Sequence, residues 1–203
     1  MAEKAPLEFY FDFSSPYGYF AATKIDDLAA GGGRGVIWKP ILLGVVFQTT
    51  GAVPLTHMAE PKASYFKHDW ERLSQQMDVP YKLPTRFPIP TQAAARAFYW
   101  LDGKDPKLAR LFAKAAYHAL FAEDIDISPA TTVADIAAGL HVNKEELLAA
   151  INDPAIKQRL KDENEAAMKK GVFGSPFIFV DGEGFWGCDR MWMVKKWMKG
   201  IGW

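Results

Sequence analysis

The chain has 203 residues, 49% of them hydrophobic, with 24 basic and 24 acidic side chains. That length and apolar content imply one or two packed domains rather than a disordered chain, and the zero formal charge argues against an electrostatically driven nucleic-acid or membrane-surface binder. The single cysteine, Cys188, excludes an internal disulfide, a CxxC redox pair and a thiolate-rich metal site.

In chain order, "MAEKAPLEFYF" lacks the apolar core of a signal peptide, and no stretch reaches membrane-spanning length, so a soluble cytoplasmic protein is expected. "LEFYFDF" puts Leu7, Phe9, Phe11 and Phe13 on one face of a strand and Glu8, Tyr10 and Asp12 on the other. Aromatic residues on both faces predict a strand deep inside a sheet, and Asp12 is either a buried acid near a site or a partnered structural group. "SSPYGYFAATKIDDLAA" opens a helix that runs to the glycines at 31–33. Ser15 is its natural cap and Pro16 suits the first turn; whether Ser15 also does chemistry stays open at this point. "GVIWKPILL" is a second strand closed by Pro40, which completes a βαβ unit.

Strand signals then vanish. "EPKASYFKHDWERLSQQM" reads as a helix, "VPYKLPTRFPIP" as a proline-punctuated loop, and "TQAAARAFYWL" as a helix begun by Thr91. Further helices follow at "DPKLARLFAKAAYHALFAE", capped by Asp105, at "TTVADIAAGL", and at "NKEELLAAI", where Asn143 and Glu146 resemble a capping box. "DPAIKQRLKDENEAAMKKG" runs from Asp153 and Pro154 to a Gly171 cap. Strands return as "FIFV" and "GFW" around Asp181-Gly182, a strong hairpin signal, and "DRMWMVKKWM" is a last helix. His57, His68, His118 and His141 lack metal-binding or HExxH spacing. No metal site is expected.

A βαβ half and a ββα half make a thioredoxin fold, and the large helical insertion between them resembles the DsbA-like branch: residues 1–45 plus 171–203 are expected as the thioredoxin-like domain, and 46–170 as the helical insertion domain and connecting helix. In that branch the first helix starts with Cys-Pro-x-Cys; here the tetrapeptide is Ser15-Pro16-Tyr17-Gly18, so dithiol exchange has no sulfur to run through. "FYFDFSSPYGYFA", "KPILLGVVFQTTG" and "GVFGSPFIFVDGEGFWGCDRM" resemble the 2-hydroxychromene-2-carboxylate isomerases and the related kappa-class glutathione transferases. The resemblance spans nearly the whole chain. It departs after "TTG", where many relatives carry a ligand-contacting asparagine and this chain has Ala52 and Val53.

The resemblance implies glutathione as cofactor, a small aromatic acid as substrate and a homodimer. It makes Ser15 a hydroxyl donor to the glutathione sulfur rather than a nucleophile. A shift of about two pKa units needs ~2.7 kcal/mol, which a helix dipole of up to ~2 kcal/mol and a charge-assisted hydrogen bond of ~1.5–3 kcal/mol can supply. It also implies a cis Ser175–Pro176 bond whose backbone pairs with the glutathione cysteine, with the alternative of an ordinary trans proline. Cys188 and Asp189 would bind the γ-glutamyl end, or Asp189 is a helix cap only. Lys62 would anchor a carboxylate or stand solvated. Tyr17, Tyr19, Phe47, Trp70 and Phe87 would wall a flat pocket, or belong to the core. The function expected is glutathione-dependent isomerisation in aromatic degradation; the alternatives are a kappa-like transferase or peroxidase and a non-catalytic thioredoxin-fold binding module.

Overall fold

The computed structural model describes residues 4–200; the outermost ends of the expected thioredoxin-like segments, 1–3 and 201–203, lie outside the described residues. Strand β1 (Leu7–Phe11) leads into helices α1 (Pro16–Ala22) and α2 (Ile25–Ala30), then β2 (Val36–Pro40). Helices α3 (Leu43–Thr50), α4 (Lys62–Met77), α5 (Gln92–Asp102), α6 (Pro106–Phe121), α7 (Ala130–Ala138), α8 (Lys144–Asn152) and α9 (Pro154–Lys169) follow. The chain closes with β3 (Phe177–Val180), β4 (Glu183–Trp186), a short 3₁₀ turn at Cys188–Arg190 and α10 (Met191–Met198). This is the expected DsbA-like thioredoxin architecture.

The four strands lie in the order β2-β1-β3-β4. β1 runs parallel to β2, with Phe9 opposite Trp38, and antiparallel to β3, with Phe9 opposite Ile178. β1 is therefore an interior strand. One face of the sheet joins the main core, where Phe11 packs against Trp38, Phe98 and Tyr117 at ring separations of 5.4, 5.7 and 5.8 Å. The other face carries a smaller cluster of Tyr10, Phe177 and Phe179 against Val46 of α3 and Ala167 of α9. Burial on both sides explains why β1 is aromatic on both faces.

Two local expectations need correction. The single helix predicted from Pro16 to the glycines breaks at Thr23, whose hydroxyl donates to the Phe20 carbonyl (2.7 Å). That local bond competes with helix continuation, and Lys24 starts α2 with no capping side chain. The segment after Pro40 leaves the sheet and forms α3, which sequence reading missed. Its start is held by distant acceptors: Asn164 accepts the Leu42 N–H (2.8 Å) and Asp12 the Leu43 N–H (2.6 Å). No local cap announces it.

Elsewhere the local chemistry acts where it was read. Asp105 and Asp153 accept the Lys107 and Ala155 N–H groups. Asn143 caps α8 through the Glu146 N–H, but Glu146 sends its carboxylate to Lys104 instead of completing a box. Gly171 closes α9 as expected: at φ 95° it stands just past the helix end, with its N–H on the Met168 carbonyl and the Val172 N–H on the Ala167 carbonyl, both 3.0 Å. Asp181 and Gly182 both have positive φ (51° and 86°), the backbone that a two-residue hairpin turn requires. Thr91 starts α5 without capping it, because its hydroxyl is drawn to Asp12 (2.9 Å).

Candidate functional site

Where β1 ends, the chain turns through Asp12–Ser14 and enters α1 at Ser15, which is 4% exposed and extended (φ −111°, ψ 111°). The Ser15 Oγ accepts the Gly18 N–H (3.0 Å), a true helix cap, and donates to the Ser175 carbonyl (3.0 Å). Both capacities of the hydroxyl are engaged. Ser175 is tied back in turn, its Oγ accepting the Asp12 N–H (2.9 Å), and the Ser175–Pro176 bond is cis. The start of α1 and the entry to β3 thus meet side by side, 160 residues apart in sequence.

Asp12 locks this junction. Its carboxylate accepts from the Ser14 N–H (2.8 Å), the Thr91 hydroxyl and the Leu43 N–H. Complete burial pushes its pKa up, and these three hydrogen bonds oppose the rise. Of the two roles read for Asp12, the structure shows the partnered structural one: it joins the ends of β1, α3 and α5. The Tyr117 hydroxyl donates to the Asp12 carbonyl (2.8 Å) from below.

Gly18 stands at the fourth position of the tetrapeptide. A Cβ there would lie 2.6 Å from the Tyr117 hydroxyl and 2.9 Å from the Ser175 Oγ. The space that a second thiol would need is already filled.

On the other side of Pro176, its carbonyl accepts the Gly187 N–H (2.9 Å), which brings the Cys188–Arg190 turn to the same end of the sheet. Cys188 is buried, and burial, followed by the charge of Asp189, pushes its thiol up to about 12. Its sulfur is therefore neutral and inert near pH 7. Asp189 is exposed and caps no helix; its carboxylate is bound by Arg190, whose Nη1 sits 3.0 and 2.9 Å from the two oxygens. That pairing corrects the helix-cap alternative. Lys62 is the exposed first residue of α4 and makes no ion pair among the described residues.

The aromatic residues divide. Tyr19 (4% exposed) and Trp70 (1%) belong to the main core. Tyr19 donates its hydroxyl to the Pro80 carbonyl (2.8 Å) and stacks on Phe121, so neither ring walls an open pocket. Tyr17 and Phe87 are half-buried and pack against the same core, Tyr17 donating to Asp69 (2.7 Å). Burial first, and Asp69 second, raise the Tyr17 pKa. Phe47 is half-buried on α3. The rings exposed beside Ser175 are others: Phe173 (45%) and Trp186 (49%). Sequence reading missed both, although a signal existed. Pairing β3 with β4 across Asp181-Gly182 puts Trp186 opposite Phe177, directly after Pro176.

A family model described as the DSBA-like thioredoxin domain matches residues 6–199. The chain belongs to this family. Among curated members, a 2-hydroxychromene-2-carboxylate isomerase of Sphingobium xenophagum is 29% identical, covering 95% of this chain and 97% of that one. Glutathione S-transferase kappa 2 of Caenorhabditis elegans is 25% identical, covering 98% and 93%. A solved 2-hydroxychromene-2-carboxylate isomerase superposes with a TM-score of 0.86 at 25% identity, covering 96% of this chain and 95% of its own. Within the DSBA-like family this chain has no dithiol pair: its one cysteine is the buried Cys188, and α1 opens with Ser15 and Gly18.

Proposed function

We propose that this DSBA-like protein is a glutathione-dependent isomerase that converts 2-hydroxychromene-2-carboxylate-like compounds to trans-2-hydroxybenzylidenepyruvate-like products. The observation that carries the reading is the Ser15–Ser175 junction: a lone hydroxyl at the α1 start, beside a cis-proline backbone, with no protein sulfur to act. Similarity to enzymes named for this reaction supports it. The kappa transferases among the relatives support glutathione as the thiol.

The residues fit a thiol peptide. The Ser175 N–H makes no hydrogen bond to any described residue, although the residue is only 8% exposed. A buried donor of this kind calls for a partner, and an extended peptide laid along the β3 entry supplies one. The Ser175 carbonyl would take the second main-chain bond of that pairing, which returns the Ser15 hydroxyl hydrogen to the sulfur side. Lys62 offers a free ammonium for a carboxylate, and the Asp189–Arg190 pair offers both signs of charge for an amino-acid end. When bound, glutathione supplies the nucleophile that adds reversibly to the conjugated double bond of the substrate, so that rotation proceeds about a single bond. Ser15 donates to the sulfur, Ser175 orients the peptide, and the Asp12 anchor keeps the two in register. The same reading makes the protein a cytoplasmic homodimer serving aromatic degradation.

The test gives the purified protein the chromene carboxylate, chlorodinitrobenzene and a hydroperoxide, each with and without glutathione. Isomerisation that requires glutathione without consuming it supports the proposal. Conjugation or peroxide turnover alone moves the protein to the kappa-like reading. Absence of glutathione binding removes both and leaves a binding module.

A further inference from the structure

We propose that Phe173 and Trp186 form an aromatic clamp that binds the flat ring of the substrate, an inference that rests on the reading above and names the residues that choose an aromatic acid. The two rings meet at 5.0 Å and 65°, an edge-to-face pair, while each remains nearly half exposed. Phe173 also packs edge-on against Phe177 (5.3 Å, 85°), whose own side chain is buried in the second core cluster.

The indole lies directly over the Gly174 backbone, so close that a Cβ on residue 174 would overlap its ring nitrogen. Behind the indole, the Trp186 carbonyl accepts from Arg190 (3.1 Å). Core packing on one ring and backbone contact on the other hold the pair in place before any ligand arrives. A preformed clamp loses little conformational freedom on binding.

Its position decides the occupant. Gly174 is the residue next to Ser175, whose carbonyl holds the Ser15 hydroxyl, and Gly187, next to Trp186, is bonded to Pro176. The clamp therefore borders the junction on both of its chain segments. An edge-to-face pair leaves ring faces open, and a flat conjugated ligand gains stacking there that an aliphatic acid of equal area does not. Other exposed rings, Tyr65 and Trp192 among them, do not adjoin this junction in sequence or through a hydrogen bond. Of the five residues that sequence reading had chosen for this task, Tyr19 and Trp70 are shut in the core, and Tyr17, Phe47 and Phe87 are half-buried.

The test titrates coumarin-3-carboxylate, a flat and unreactive bicyclic acid, into the wild type and into Phe173→Ala, Trp186→Ala and Gly174→Ala. Gly174→Ala keeps both rings and dislodges the indole. Glutathione affinity by calorimetry, circular dichroism and gel filtration accompany each titration. Saturable binding to the wild type, weakened about tenfold or more in all three variants with glutathione affinity and fold unchanged, is the expected result. No saturable binding to the wild type, or less than about a threefold change in the variants, overturns the clamp. A change in oligomeric state without a change in coumarin affinity also overturns it, because the rings then cover a second copy of the chain. Saturable coumarin binding to a wild type that binds no glutathione, weakened about tenfold or more in the three variants, keeps the clamp and rejects the isomerase reading.

Discussion

Ser15→Ala separates the structural and the chemical work of one hydroxyl. The substitution removes the bond to the Gly18 N–H and the bond to the Ser175 carbonyl, both 3.0 Å and buried. A lost cap of ~1 kcal/mol and a buried carbonyl left without its donor predict about 2 kcal/mol of destabilisation. For a chain of this length that lowers Tm by about 4–8 °C. The effect on bound glutathione is smaller than the sequence sum implied. A hydrogen bond from Ser15 to a thiolate is worth ~1.5–3 kcal/mol, but the hydroxyl must first release Ser175, which returns ~0.5–1.5 kcal/mol. α1 has seven residues, two turns, so its dipole contributes at the lower end, ~0.3–1 kcal/mol. The total of about 1.7 kcal/mol is roughly 1.2 pKa units, which brings a thiol from ~8.5 to about 7.3 instead of the 6.5 that two full units would give. Removing the serine contribution moves it back by about one unit, and the thiolate fraction at pH 7 falls from roughly a third to below a tenth. Ultraviolet titration of the thiolate on the glutathione complex reads this directly. An unchanged midpoint in Ser15→Ala, with glutathione still bound and the fold intact, would refute the role given to Ser15.

Three further outcomes follow from the same geometry. Asp12→Asn turns an NH₂ toward Leu43 N–H, or toward Ser14 N–H and the Thr91 hydroxyl, so a donor meets a donor; about 2–4 kcal/mol of stability should be lost in chemical denaturation, and an unaltered midpoint would show that the junction does not depend on an acceptor-only side chain. Restoring the dithiol by Ser15→Cys with Gly18→Cys should yield no disulfide oxidoreductase activity and a stability loss of about 1–3 kcal/mol, since the new Cβ meets Tyr117 and Ser175; recovery of insulin reduction at full stability would contradict the packing argument. Cys188 should resist thiol reagents in the native state and react only on unfolding. Its folded pKa of about 12 exceeds the unfolded value of ~8.5, so between these limits the unfolded chain has released a proton that the folded chain still holds. Stability accordingly falls as pH rises through that window, and Cys188→Ala should flatten part of the fall measured by urea melts at pH 8 and pH 10.

The architecture was readable because its signals are local. The alternating aromatic residues of β1, the Asp181-Gly182 turn and the caps at Asp105, Asn143 and Asp153 act within a few residues of where they stand in the sequence. α3 shows the complementary case. Its first N–H groups are satisfied by Asp12 and Asn164, 31 and 122 residues away, and a helix capped from such distances leaves no mark in a short window. Thr91 begins α5 as read, but its hydroxyl donates to the buried Asp12 carboxylate and not to the helix, a partner 79 residues away that no short window contains. The aromatic residues illustrate a third limit. Nothing in "YGYF" or "KHDWERL" distinguishes a ring that lines a cavity from one that fills a core, because that difference is made by α4 and α6 closing over them. Hairpin register did carry usable information, since it fixes Trp186 opposite Phe177 without any knowledge of the rest of the fold.

The tetrapeptide at residues 15–18 gains a different meaning from its surroundings. Two cysteines replaced by serine and glycine would, in an otherwise unchanged scaffold, leave a hole at position 18 and a loose hydroxyl at position 15. Neither is found. The Tyr117 hydroxyl reaches over Gly18 to the Asp12 carbonyl, Ser175 turns its Oγ to the Asp12 N–H, and its carbonyl takes the hydrogen of Ser15. In this set the Tyr117 and Ser15 hydroxyls each donate to one carbonyl, the Ser175 Oγ accepts the Asp12 N–H, and the Ser175 N–H is left without a partner among the described residues. A peptide that pairs with that N–H and competes for the Ser175 carbonyl breaks the set at a single point, the hydroxyl of Ser15. On the proposed mechanism, the resting hydrogen bond restrains the hydroxyl that would donate to the thiolate and links its release to occupation of the neighbouring backbone.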